Sequence, residues 1–127
     1  MSQERILVVD DEEVIREVCE QILIAEGYAV TIAASGKKAL HLVSENNFDA
    51  IVTDIMMPDM SGLELLEVIK STNLDVSAIV ITGLGTFDMA TQSDRLGARE
   101  FVVKPFTPDE LVQAVGKALN KQVVKQS

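Results

Sequence analysis

The sequence predicts an α/β fold, a doubly wound five-stranded parallel sheet with helices on both faces in a (βα)5 three-layer sandwich. Three observations carry this. Five short runs rich in β-branched residues recur along the chain; an amphipathic stretch at helical spacing follows each; and cap or turn residues stand at the junctions. Strands that are apolar throughout, separated by helices, imply a parallel sheet covered on both faces. Right-handed crossovers then leave few topologies.

The first strand is Ile6 to Val9 (ILVV), apolar throughout and ending abruptly at acids. Val14, Val18, Ile22 and Ala25 then recur at helical spacing until Gly27 stops the helix. This helix carries Val14, Ile15, Val18, Cys19 and Ile22, which read together as a wide core-facing stripe. Tyr28 to Ile32 forms the second strand, and Ser35 opens a helix containing Ala39, Leu40 and Val43. Asp49 to Thr53 is the third strand. After the MMPDMSG turn, Ser61 and Glu64 have capping-box spacing ahead of Leu65, Leu66 and Ile69. Ser77 to Ile81 is the fourth strand, with a weaker helix around Thr86 to Leu96, and Arg99 to Val103 is the fifth. Thr107, Pro108 and Glu110 supply a cap, a first-turn proline and a capping-box acid. The helix they open bears Leu111, Val115, Ala118 and Leu119 on one face. One domain is expected over residues 1–121, with 122–127 as a tail or the start of a linker.

A chain of 127 residues that is 47% apolar can build its core without disulfides or a structural metal. The one cysteine, Cys19, sits among apolar residues and reads as a small buried hydrophobe. The one histidine, His41, falls mid-helix and reads as a surface residue. A net charge of −9 repels nucleic acid and anionic membranes, so this domain is not expected to bind either directly. The amino terminus lacks the pattern of a signal peptide and no stretch is long enough to span a membrane, so the expected location is cytoplasmic.

In such folds ligands bind at the carboxyl ends of the strands. Asp10 and Asp11 stand there after the first strand, Asp54 after the third, Thr82 after the fourth, and Lys104 with Pro105 after the fifth. Three clustered carboxylates repel one another unless a cation or protons join them. A small oxygen set suits Mg²⁺, which keeps waters and favours phosphate oxygens as further ligands. Lysine and threonine would complete a site for a tetrahedral oxyanion, and a carboxylate can itself be the nucleophile toward phosphorus. Taken singly, each residue has a plainer reading: Asp11 as a helix cap, Asp54 as a turn cap, Thr82 as a strand end, Lys104 as a solvated charge. Their joint position at one sheet edge is what favours a site.

These residues lie in ILVVDDE, DIMMPDMSG, ITG and KPF, which together resemble, in order and spacing, the receiver domain of two-component response regulators. The resemblance runs from about Arg5 to Leu119. It implies the flavodoxin-like strand order 2-1-3-4-5 and a phosphoacceptor at Asp54. It further implies Mg²⁺ bound by Asp11 directly and by Asp10 largely through water, with the Met56 carbonyl as another ligand. Lys104 would contact the phosphoryl group beside a cis Lys104–Pro105 peptide. Thr82 and Phe101 would switch inward together, Phe101 standing where many relatives have tyrosine, and shift the surface of helix four, strand five and helix five. The implied partners are a sensor histidine kinase or phosphotransfer protein and a downstream output domain or protein. Kinase docking on the first helix is also what the family suggests. Such a domain is a switch rather than a turnover enzyme. Apolar Met56 and Leu84, two residues beyond the phosphoacceptor and the threonine, imply slow autodephosphorylation. Rival readings are a receiver that only docks partners, a flavin-binding module and a haloacid-type phosphatase. The last would want an acid at Met56, and the flavin module a phosphate-cradling loop where this chain has two acids.

Overall fold

Alternating apolar segments of two periods leave this chain one economical way to bury itself. The computed structural model describes residues 3–72, 75–83 and 85–120. Among these, strands and helices alternate as β1 (Arg5–Val9), α1 (Glu13–Ala25), β2 (Ala29–Ala33), α2 (Gly36–Glu45), β3 (Ala50–Asp54), α3 (Gly62–Ser71), β4 (Ser77–Thr82), α4 (Phe87–Arg95), β5 (Ala98–Val103) and α5 (Pro108–Ala118). The strands form one parallel sheet in the order β2-β1-β3-β4-β5, as expected. Leu84 and residues 121–127, which include the proposed tail, lie outside the described residues.

Successive strand residues point to opposite faces, so each apolar strand feeds two cores. Leu7, Val9, Ile51 and Val80 meet Ala39 and Val43 of α2 and Leu65, Leu66 and Ile69 of α3 on one face. Ile6, Val8, Val52, Ile79 and Ile81 meet Cys19 and Leu23 of α1 and Leu111, Ala114, Val115 and Ala118 of α5 on the other. Cys19 is fully buried as a small hydrophobe, as read. The expected capping boxes are present, Ser61 with Glu64 at α3 and Thr107 with Glu110 at α5, where Pro108 is the first helical residue. Gly27 ends α1 in the left-handed region, φ 94°, which a side chain would strain.

Two expectations need correction. Strands β2, β3 and β4 each run one residue further than their hydrophobic pattern. Polar or small residues there look like boundaries, yet their backbones still belong to the ladder: Asp54 pairs with Ile81, and Thr82 with Val103. The wide core stripe on α1 is also narrower than read. Val14 is 68% exposed and Val18 39%, and only Cys19 and Leu23 of α1 are buried. The helix covers the β1–β2 edge beside α5, which reaches only that part of its apolar surface.

Candidate functional site

At the carboxyl edge of the sheet, backbone pairing carries polar side chains into a place that strand hydrophobicity would normally exclude. Asp10 follows β1 directly and is fully buried. Its N–H donates to the Ala33 carbonyl, and its Oδ1 accepts from the Glu12 N–H at 2.9 Å. Its own carbonyl accepts from Arg16 Nη1 at 2.7 Å, so both flanks of the residue are fixed. Asp54 ends β3 at 4% exposure, and its Oδ1 accepts from the Met56 N–H at 3.2 Å. Thr82, fully buried, ends β4, and its carbonyl accepts from the Lys104 N–H at 2.8 Å. The Lys104–Pro105 peptide is cis, as the resemblance implied.

Lys104 reaches back over this edge. Its ammonium donates to Asp10 Oδ2 at 2.9 Å, Asp54 Oδ2 at 3.0 Å and Glu12 Oε1 at 3.2 Å. Burial works against that charge, but the Asp10 and Asp54 carboxylates outweigh it and hold the ammonium well above the usual lysine value. Burial also pushes the Asp10 carboxyl up, opposed by the Glu12 N–H and by Lys104. Asp10, Glu12 and Asp54 each offer an oxygen within 4.8 Å of the others, a hard-oxygen set that fits a metal ion.

Comparison with known proteins decides the family. The model of the response regulator receiver domain matches residues 6–116. This chain belongs to that family. Response regulator SaeR of Staphylococcus aureus is 38% identical over 116 residues, covering 91% of this chain and 50% of that protein. The chain thus spans about half the length of the curated relatives it matches. Among solved structures, a CheY-like receiver from Methanospirillum hungatei superposes with TM-score 0.88 at 34% identity, over 94% of this chain and 95% of its own. TrrA from Thermotoga maritima, solved with Mg²⁺ and BeF, gives TM-score 0.84 at 39% identity, over 92% and 100%.

The remaining residues of the receiver fall around this centre. Asp11 is exposed and lines the same hollow of about 390 Å³ as Glu12, Asp54, Met56, Thr82 and Lys104. It does not cap α1, whose N-cap is Glu12 with no side-chain capping bond. Met56 is 58% exposed at the mouth, with its backbone tied to Asp54. Phe101 is half-buried and packs on the same core face as Met89 and Leu96. A hollow of about 130 Å³ lies beside it, between α4 and β5. His41 is exposed and pairs with Glu45 at 2.7 Å, away from the site.

Three residues escaped the sequence reading. Glu12 has no role in the sequence reading, although its place as a third consecutive acid is a signal. Asp59 accepts from the N–H groups of Gly36 and Lys37 at 3.2 and 3.0 Å, pinning the turn after β3 to the start of α2. Gly62 approaches the Asp54 carbonyl so closely that a Cβ there would collide with it. Asp59 and Gly62 both lie in the DIMMPDMSG motif, but hydrophobic period and cap spacing say nothing of the contacts they make.

Proposed function

We propose that this receiver takes up a phosphoryl group on Asp54 in a Mg²⁺-dependent step and passes the signal on through α4, β5 and α5. The observation that carries the reading is a buried Asp54 carboxylate that shares the Lys104 ammonium with the buried Asp10 carboxylate. An Asp54 oxygen attacks the phosphorus of a phosphohistidine or acyl phosphate. As the new O–P bond forms, the bond to the leaving imidazole or carboxylate breaks, and its electron pair departs with that group. Lys104 would neutralise charge on the equatorial oxygens, and the Thr82 hydroxyl would donate to one of them as the switch is thrown.

Asp10, Asp11, Asp54 and the Met56 carbonyl would hold the cation, which would offset the negative charge gathered there during transfer. The presence of Mg²⁺ and BeF in TrrA supports this choice of ion. Thr82 ends β4, and Phe101 lies on the adjacent β5 opposite Val80, so movement of the first would reach the second through this strand pair. Phe101 borders the hollow between α4 and β5, and its ring would turn inward with Thr82. New charge-assisted bonds present only after phosphorylation would supply the free energy. Phe87, 84% exposed on α4, and Val103, 45% exposed on β5, belong to the surface that would change. A histidine kinase or phosphotransfer protein is the donor, and an output domain or protein the recipient. The functional unit is residues 1–121, and the cytoplasm is where such partners meet.

A docking-only receiver would have no use for a lysine bound to three carboxylates. A haloacid-type phosphatase would need a proton donor where Met56 stands. Intact mass after incubation with Mg²⁺ and acetyl phosphate tests the proposal. One added phosphoryl group is expected, absent with chelator and absent in Asp54→Ala. No adduct, or one indifferent to the substitution, overturns it.

A further inference from the structure

Lys104 is bound to one more acid than phosphoryl transfer requires. An ammonium has three N–H donors, and here Asp10, Asp54 and Glu12 accept at 2.9, 3.0 and 3.2 Å. A phosphoryl oxygen arriving on Asp54 must therefore displace one of them. The three bonds are not equally easy to give up. Asp10 and Asp54 are buried, and each carboxylate also accepts a backbone N–H that fixes its orientation. Turning Asp10 away from the ammonium leaves a carboxylate in a place water does not reach, while Asp54, which lines the hollow, is held in place by the Met56 N–H. Glu12 differs. Its backbone is anchored on both sides, the N–H to Asp10 Oδ1 and the carbonyl by the Arg16 N–H. Its side chain is 62% exposed and can swing into water at little cost.

We propose that Glu12 is a positioning residue that holds the Lys104 ammonium and competes for it with the phosphoryl group arriving on Asp54. The proposal rests on the functional reading above and adds a determinant of how readily the site charges. Two effects of the Glu12 charge then run in opposite directions. Its carboxylate lies within 4.8 Å of those of Asp10 and Asp54, so it adds to the attraction for a dication. It also occupies a Lys104 N–H and repels an anionic phosphodonor, so it slows phosphoryl uptake. A residue with a merely structural role would not separate these two quantities.

The test compares wild type, Glu12→Gln and Glu13→Gln. Glu13 is exposed in the first turn of α1 and carries the same charge one residue away. Mg²⁺ affinity is measured by calorimetric titration without a phosphodonor. Uptake from acetyl phosphate at saturating Mg²⁺ is followed by intact mass. Glu12→Gln is expected to bind Mg²⁺ more weakly and take up the phosphoryl group faster, each by about 2- to 5-fold, the range of an exposed ion pair. Glu13→Gln should match wild type in both. Equal or slower uptake in Glu12→Gln overturns the proposal, as does a Glu13→Gln effect of the same size. A wild-type chain that takes up no phosphoryl group overturns the functional reading and this proposal with it. Normal wild-type uptake left unchanged by Glu12→Gln overturns this proposal alone.

Discussion

Lys104 shows how a single residue sets the character of the site. Its side chain is 14% exposed, and its single positive charge is shared by two buried carboxylates. Lys104→Met leaves those charges facing each other, and breaking a largely buried pair costs about 3 kcal/mol. Urea unfolding in chelator should show that loss, and Mg²⁺ should restore more stability to the variant than to wild type, because the dication supplies the missing positive charge. Cys19 makes a different kind of residue-level statement. Burial, and secondarily the charge of Asp10, push its thiol from the ordinary 9.0 up to about 12. The folded chain therefore keeps that proton while the unfolded chain sheds it, so this residue contributes no pH dependence below 9 and a growing destabilisation between 9 and 12. Alkylation at mildly alkaline pH should label Cys19 only after denaturant is added. Rapid labelling of the folded protein would contradict its burial. Asp54 and Lys104 were legible from sequence because each follows an apolar run; Glu12 was not, because an acid at the start of a helix has an ordinary explanation.

Elements were legible to the extent that they carry local signals. Caps are such signals: Ser61 with Glu64, and Thr107 with Glu110, satisfy N–H groups that the first turn cannot pair internally, and both are visible as residue spacing. Thr107→Ala removes the acceptor for the Glu110 N–H, bonded at 3.2 Å, and should lower stability by about 1 kcal/mol in denaturant unfolding. Since α5 packs directly on β5, the same variant should also speed hydrogen exchange in α5. Strand ends and helix faces were less legible. The last residues of β3 and β4 are polar, yet the ladder holds them, so hydrophobicity alone placed the ends one residue early. The apolar positions of α1 outnumber those the β1–β2 edge can cover, and how much of a stripe finds a partner depends on neighbours rather than on the helix itself.

At the scale of the whole molecule, strand order converts scattered residues into one site. Parallel strands place every carboxyl end at the same edge, and the order β2-β1-β3-β4-β5 sets Asp54 centrally, with Asp10 from β1 on one side and Thr82 from β4 on the other. That order was legible only through the family's motifs, since periodicity predicts a parallel sheet without ranking its strands. The pin that Asp59 provides between the turn after β3 and the start of α2 was not legible from periodicity, because it arises when the fold brings those segments together. The central claim concerns one atom group among several adjacent carboxylates, so location matters more than the occurrence of modification. Protein charged with acetyl phosphate and Mg²⁺, reduced with borohydride to convert any acyl phosphate to the alcohol, can be digested and mapped by tandem mass spectrometry. The account predicts the mark on Asp54 alone; a mark on Asp10, Asp11 or Glu12 with Asp54 unmodified would contradict it.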